Sequence, residues 1–439
     1  MRPGRPAPRQ RPLTALLVLL ALAALALLAG GVPTSAAARG GGTVAAAPAR
    51  ASGALTARDA AARPEFPQRV TYTLTAESTA GDIVEAYVFY RPLAAAVTQR
   101  ARVEVTPGRR VELRHSVDMT RNYLPPGLDI RYYWSLTDAA GNRLDTEPQV
   151  FRYQDERFPW RTRQGGQVTV FFYAGNDDFG QDLLDTALRT IDKLGRSFGV
   201  QGGEPIHIVV YGSTRDFQTS LPPNSVEWVG GQAHPELGLI VTGIQPGSGA
   251  AREIRRVIPH EISHLVLHQA TKNPYGEPAH WLDEGLATYN QETADTSLEP
   301  LLNKAVRDGA LVPVRALNSN FPLDPDEARL SYAESVSLVE YLIATYGEAK
   351  LGELLTSFRN ELSYDEALQA TLGLDTDQLD KQWKASLGYK GDRAGASRDS
   401  SDSPSGATPL GHLGLPIAAL GLIVTGGLVF RRRAWNVRA

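Results

Sequence analysis

The sequence contains no cysteine. That excludes a thiol nucleophile, a disulfide framework, a zinc ribbon and a cysteine-ligated iron–sulfur cluster. Any bound metal must be held by His, Asp or Glu, and there are only 8 His to choose from. An excess of charge of one sign is also missing, since 45 Lys and Arg face 48 Asp and Glu. A net charge of −3 gives no basic field for a phosphate backbone, so no nucleic-acid partner is expected. What is present is ample apolar material, 42% of 439 residues, enough for real cores. At ~150 residues per domain the length suggests two or three domains.

Long apolar runs are confined to the two ends. The opening MRPGRPAPRQRP carries four arginines and no acid, then runs into Leu13–Ala29 and a small-residue close at Ala36-Ala37-Ala38. This is the pattern of a secretory signal peptide over 1–38, with an uncleaved anchor as the alternative. Near the other end Leu410–Phe430 is uncharged and long enough to cross ~30 Å of hydrocarbon. Arg431, Arg432 and Arg433 follow, so a span over 409–430 would leave a basic tail, 431–439, in the cytoplasm. The expectation is a single-pass cell-membrane protein with its main domains outside. The missing cysteines suit a bacterial envelope protein whose outward domains rely on their own cores.

Between the ends the rhythm changes twice. Residues 39–65, rich in Ala, Gly, Arg and Pro, read as a linker, and 390–408 as a flexible stalk. Over 66–158 short runs such as VTYTLTA, IVEAYVFYR, RVELRHSV and DIRYYWSLTD alternate with period two between turn signals. They predict an antiparallel β-sandwich of immunoglobulin or fibronectin type. From about 166 strands (QVTVFFY, PIHIVVYGS, ELGLIVTGI) alternate with a helical stretch, and after Gly247 the pattern is mostly helical. The fold class is α+β.

The chemistry lies in Val257–Val266, which contains His260-Glu261-Ile262-Ser263-His264. On a helix the two His, four apart, leave one face about 6 Å apart along the axis and can grip one zinc ion. Glu261 lies beside them, where it can take a proton from water rather than ligate. Twenty residues after His264, Glu284 opens a second helix in His280-Trp281-Leu282-Asp283-Glu284-Gly285-Leu286-Ala287. A carboxylate there completes a three-ligand site with one open position, the pattern of catalytic zinc.

H-E-x-x-H followed by W-L-x-E-G-L-A resembles the gluzincin metallopeptidases, in particular the bacterial peptidase MA-like domain, over about 166–389. The resemblance implies a zincin-like domain of mixed sheet plus helical half. It implies Zn2+ on His260, His264 and Glu284, with Glu261 as general base and then proton donor. It also puts Leu239–Thr242 at the family's substrate-aligning edge strand. A tyrosine on a later helix serves some gluzincins as oxyanion donor, and Tyr332 in RLSYAESVSLVEYLIATYG matches that place; Tyr289 and Tyr275 remain open. Three features depart from the family. Pro259 precedes His260, which implies a kink or a first-turn position. Thr288 replaces the acid four residues after the third ligand, leaving support for a ligand His unassigned. The G-x-M-E-N signature of aminopeptidases is missing.

The function expected is a membrane-anchored, extracytoplasmic zinc metallopeptidase acting on peptide or protein substrates. Its competitor is a non-catalytic surface scaffold or adhesin retaining the peptidase fold, which has no need of Glu261. An intramembrane protease fails on polarity, because Arg252, Glu253, Arg255 and Arg256 precede the motif. His268 is expected at the rim and His280 along the cleft, with no chemistry assigned to His115, His207 or His234.

Overall fold

The computed structural model describes residues 53–391, apart from 201–202, 223–224, 226–229 and 276. The signal peptide, membrane span and basic tail expected from the sequence lie outside the described residues, as does the stalk from 392 onward. Among the described residues no helix is long and apolar enough to cross a membrane.

Eight strands come first: β1 (Leu55–Glu65), β2 (Arg69–Ser78), β3 (Ile83–Pro92), β4 (Gln99–Val103), β5 (Arg110–Asp118), β6 (Leu128–Asp138), β7 (Arg143–Asp145) and β8 (Gln149–Tyr153). They form two antiparallel sheets, β1-β2-β5 and β4-β3-β6-β7, with β8 also paired to β6. Period-two alternation places Tyr72 and Leu74 of β2 and Leu113 of β5 in one core with Val88 of β3 and Trp134 of β6. Residues 55–65 are not linker. They pair with β2 from Leu55 opposite Ser78 to Glu65 opposite Arg69. Only Leu55 and Pro64 of β1 are buried. Backbone pairing at a sheet edge, rather than side-chain burial, holds this strand, so its composition resembles a linker.

The third sheet starts before the expected boundary, at β9 (Arg161–Gly165), which pairs antiparallel with β10 (Val168–Phe172). Then come α1 (Asp177–Phe198), β11 (Ile206–Tyr211), α2 (Thr214–Gln218), β12 (Gly231–His234) and β13 (Leu239–Gly243). The order is β12-β13-β11-β10-β9, with β10, β11 and β13 parallel and an antiparallel strand at each edge. The edge beside the cleft is therefore β12, whereas Leu239–Thr242 lies inside the sheet. The reason is burial: all four of those residues are enclosed, as a near-continuous apolar run demands. Gly-Gln-Ala-His at β12 has no β-branched residue to announce a strand.

Seven helices follow: α3 (Ala250–Thr271), α4 (His280–Tyr289), α5 (Leu298–Asp308), α6 (Pro325–Tyr346), α7 (Glu348–Arg359), α8 (Tyr364–Leu372) and α9 (Thr376–Ser386). Helix α3 packs Ile254, Val257, Ile258, Ile262 and Leu265 against α1 and the sheet. Helices α4 and α6 belong to a second core with Trp281, Leu286, Leu338, Val339 and Trp383. Helix α6 begins at Pro325, where Asp324 caps it by accepting from the backbone N–H of Asp326 and Glu327. Leu128 of the N-terminal region joins Val209, Tyr211, Leu239 and Val241 in a separate cluster on the other face of the sheet from α3.

Candidate metal centre

His260 and His264 leave α3 one turn apart, with ring centroids separated by 5.0 Å. Helix α4 brings Glu284 Oε2 to 3.5 Å from His260 Nε2 and 3.8 Å from His264 Nε2. One ligand atom from each of the three lies within 4.8 Å of the others. Glu284 is 2% exposed, and its Oε2 has no hydrogen-bond partner. A buried carboxylate oxygen left without a donor is costly, and a cation among these three atoms removes the cost. Two imidazoles and one carboxylate, with space in the cleft beside them, fit the donor set of a catalytic zinc.

The charges agree. Burial opposes ionisation of Glu284, but the facing His264 and His260 outweigh it and hold the carboxyl well below the usual range. Burial likewise opposes a charge on His264, and Asp283 and Glu284 outweigh it, pushing the imidazole up to about 10. The chain thus calls for positive charge here, supplied by a proton or by a metal.

Each of the two histidines has a partner behind it. His264 Nδ1 lies 2.7 Å from Asp283 Oδ1 and His260 Nδ1 lies 3.2 Å from Gln291 Nε2. Such contacts fix ring orientation and tautomer. Neither partner was assigned from the sequence, and position 288, where the family carries an acid, makes no such contact: Thr288 Oγ1 is buried without a partner. Pro259 lies mid-helix, so His260 is not in the first turn of α3.

Glu261 is buried at 6% exposure and lines the cleft with both histidines. Burial pushes its carboxyl up against the opposing pull of His260 and His264. A Cβ on Gly231 would come within 2.4 Å of Glu261 Oε1, so any larger residue there would displace the Glu261 carboxylate from its present position. Tyr332 on α6 places its ring 6.5 Å from that of His260. Burial, and then the Glu284, Glu261 and Asp283 carboxylates, push its phenol well above the ordinary value, so it stays a donor. Gly285 makes this possible, since a Cβ there would meet the Ser335 carbonyl oxygen at 2.5 Å. Tyr275 and Tyr289 are exposed and are not among the residues lining the cleft.

The cleft, of about 230 Å³ and open to solvent, is also walled by Arg256, Asp295 and Arg329. His268 and His280 line an adjoining hollow with Glu236, Glu277 and Asp283. His280 Nε2 is 3.9 Å from Glu284 Oε1. His115, His207 and His234 are not among the cleft residues.

Residues 186–389 match the family model of the peptidase MA superfamily, which is consistent with a gluzincin-type peptidase MA-like domain over this stretch. None of the curated proteins matches the chain. Among solved structures, OgpA from Akkermansia muciniphila is 12% identical over 23% of this chain and 28% of its own length, with a TM-score of 0.18. The chain thus spans under a third of that relative. An aminopeptidase N family protein from Idiomarina loihiensis is 9% identical over 71% of this chain and 70% of its own, with a TM-score of 0.32.

Proposed function

We propose that the chain is a membrane-anchored, outward-facing zinc metallopeptidase that hydrolyses peptide bonds. The observation that carries this reading is the partnerless Glu284 oxygen between His260 and His264, with Glu261 beside them in the cleft. Held by His260, His264 and Glu284, zinc would supply Lewis acidity, making water easier to deprotonate and a peptide carbonyl easier to attack. Glu261 accepts the proton of the attacking water and hands it to the leaving amine. Its burial suits that double duty, because desolvation raises the carboxyl and makes it a better proton acceptor than an exposed one. Tyr332 donates a hydrogen bond to the oxygen that gains negative charge. Among the described residues no further strand pairs with β12, whose edge would take an extended peptide as an added strand. The two N-terminal sheets are read as an immunoglobulin- or fibronectin-like sandwich, and membrane attachment rests on the apolar run at 409–430 and its arginines.

The test is zinc content and hydrolysis of a peptide library by the detergent-solubilised full chain, beside Glu261→Gln. The variant should keep one zinc and lose about 1,000-fold or more in kcat. Hydrolysis that survives Glu261→Gln removes this mechanism. A wild-type protein that binds zinc and cleaves nothing is the scaffold.

A further inference from the structure

Helix α3 lacks one backbone donor. Pro259 has no N–H, so the carbonyl four residues earlier, that of Arg255, loses its helical partner. That carbonyl accepts instead from the Glu292 N–H, at 2.9 Å, just beyond the end of α4. Arg189 holds Glu292 a second time through an ion pair at 3.5 Å. The residue before this anchor is Gln291, whose Nε2 lies 3.2 Å from His260 Nδ1 and whose Oε1 is buried without a partner.

The tautomer matters. To bind a metal through Nε2, the atom that faces Glu284, His260 must carry its proton on Nδ1. An amide N–H opposite Nδ1 supports the other tautomer. A half-turn of the carboxamide exchanges Nε2 for Oε1 at almost no change in shape and offers the acceptor that Nδ1–H requires. Asp283, behind His264, has no such choice, because an ionised carboxylate can only accept.

We propose that Gln291 is a positioning residue for His260: its carboxamide turns to present Oε1 to Nδ1–H when a metal enters, and Pro259 keeps it in place by freeing the Arg255 carbonyl to anchor Glu292. This rests on the reading of His260 as a metal ligand. The inference concerns how that ligand is oriented, not whether it ligates.

Zinc affinity by chelator competition and the ring-nitrogen NMR shifts of His260 in the full chain test it. Gln291→Leu keeps the bulk and removes the acceptor; it should weaken zinc about 10- to 100-fold and move the His260 shifts in the metal-free protein. Gln291→Glu, which can accept, should restore the affinity. Pro259→Ala gives Arg255 back its helical donor and should weaken zinc about threefold or more, in wild type but not on top of Gln291→Leu. Wild-type zinc affinity in Gln291→Leu overturns the proposal. An equal loss from Pro259→Ala in both backgrounds overturns the link to Gln291. If wild type binds no zinc, the metal reading itself fails, and unchanged metal-free His260 shifts in Gln291→Leu show separately that the contact has no hold on the ring.

Discussion

Asp138 in the N-terminal sheets and Glu284 in the cleft are equally hidden, each 2% exposed. Their surroundings are opposite. Asp138 closes a turn: Ser78 Oγ donates to Oδ2 at 2.7 Å, the backbone N–H groups of Ala140 and Asn142 donate to Oδ1, and Asn142 Nδ2 reaches both oxygens. These donors, the Asn142 side chain foremost, hold its carboxyl below the usual range. Glu284 has imidazoles at 3.5–3.9 Å and an idle oxygen. A carboxylate that serves the fold has its oxygens occupied by donors, whereas one kept for chemistry leaves an oxygen vacant.

The contrast predicts opposite phenotypes. Glu284→Ala should lower zinc affinity by at least about 1,000-fold while the thermal midpoint of the metal-free protein falls only slightly, because the imidazoles lose a counter-charge but the idle buried oxygen is gone as well. A matching fall in that midpoint would make Glu284 structural. Asp138→Ala should do the reverse, leaving zinc affinity intact and lowering the midpoint of the N-terminal region by on the order of 5 °C. Its stabilisation is present above the ordinary carboxyl value of 3.8 and is lost as pH falls through the depressed folded value, so wild type and variant should converge in acid.

Glu334 stands between the two cases and gives the smallest effect. It is fully buried on α6, accepts from the Val312 N–H at 3.1 Å, and leaves Oε2 without a partner. Burial pushes its carboxyl up to about 8. The unfolded chain ionises from about 4.5 and the folded chain only near 8, so rising pH removes stability across that window. Glu334→Gln should melt with wild type at pH 4 and about 3 °C higher at pH 9. Coincident melting at both pH values would mean that Glu334 is already accommodated as an anion.

The cluster of His260, His264 and Glu284 was legible because a four-residue helical repeat fixes the two imidazoles almost without tertiary information and one later carboxylate follows them. Asp283 and Gln291 were not. Asp283 neighbours Glu284 in sequence but meets His264 only through the packing of α4 on α3, and Gln291 depends on a backbone bond that proline makes available. Strands β2, β3, β5 and β6 showed in the alternation of their buried residues. Strands β1 and β12 escaped notice because edges are held by backbone pairing, which side-chain patterns do not record. Helix α6 announced its apolar stretch, but its first turn is set by the Asp324 cap and carries no apolar signal.

Gly285 has a consequence beyond packing. It acts as the spacer gauge between the helix that carries the third ligand and the helix that carries Tyr332. A methyl group there would force the two helices apart at the Ser335 carbonyl, and Tyr332, one turn from Ser335, would shift relative to Glu284. One position thus sets the distance between Glu284 and Tyr332, and a substitution there would change their spacing without altering either side chain.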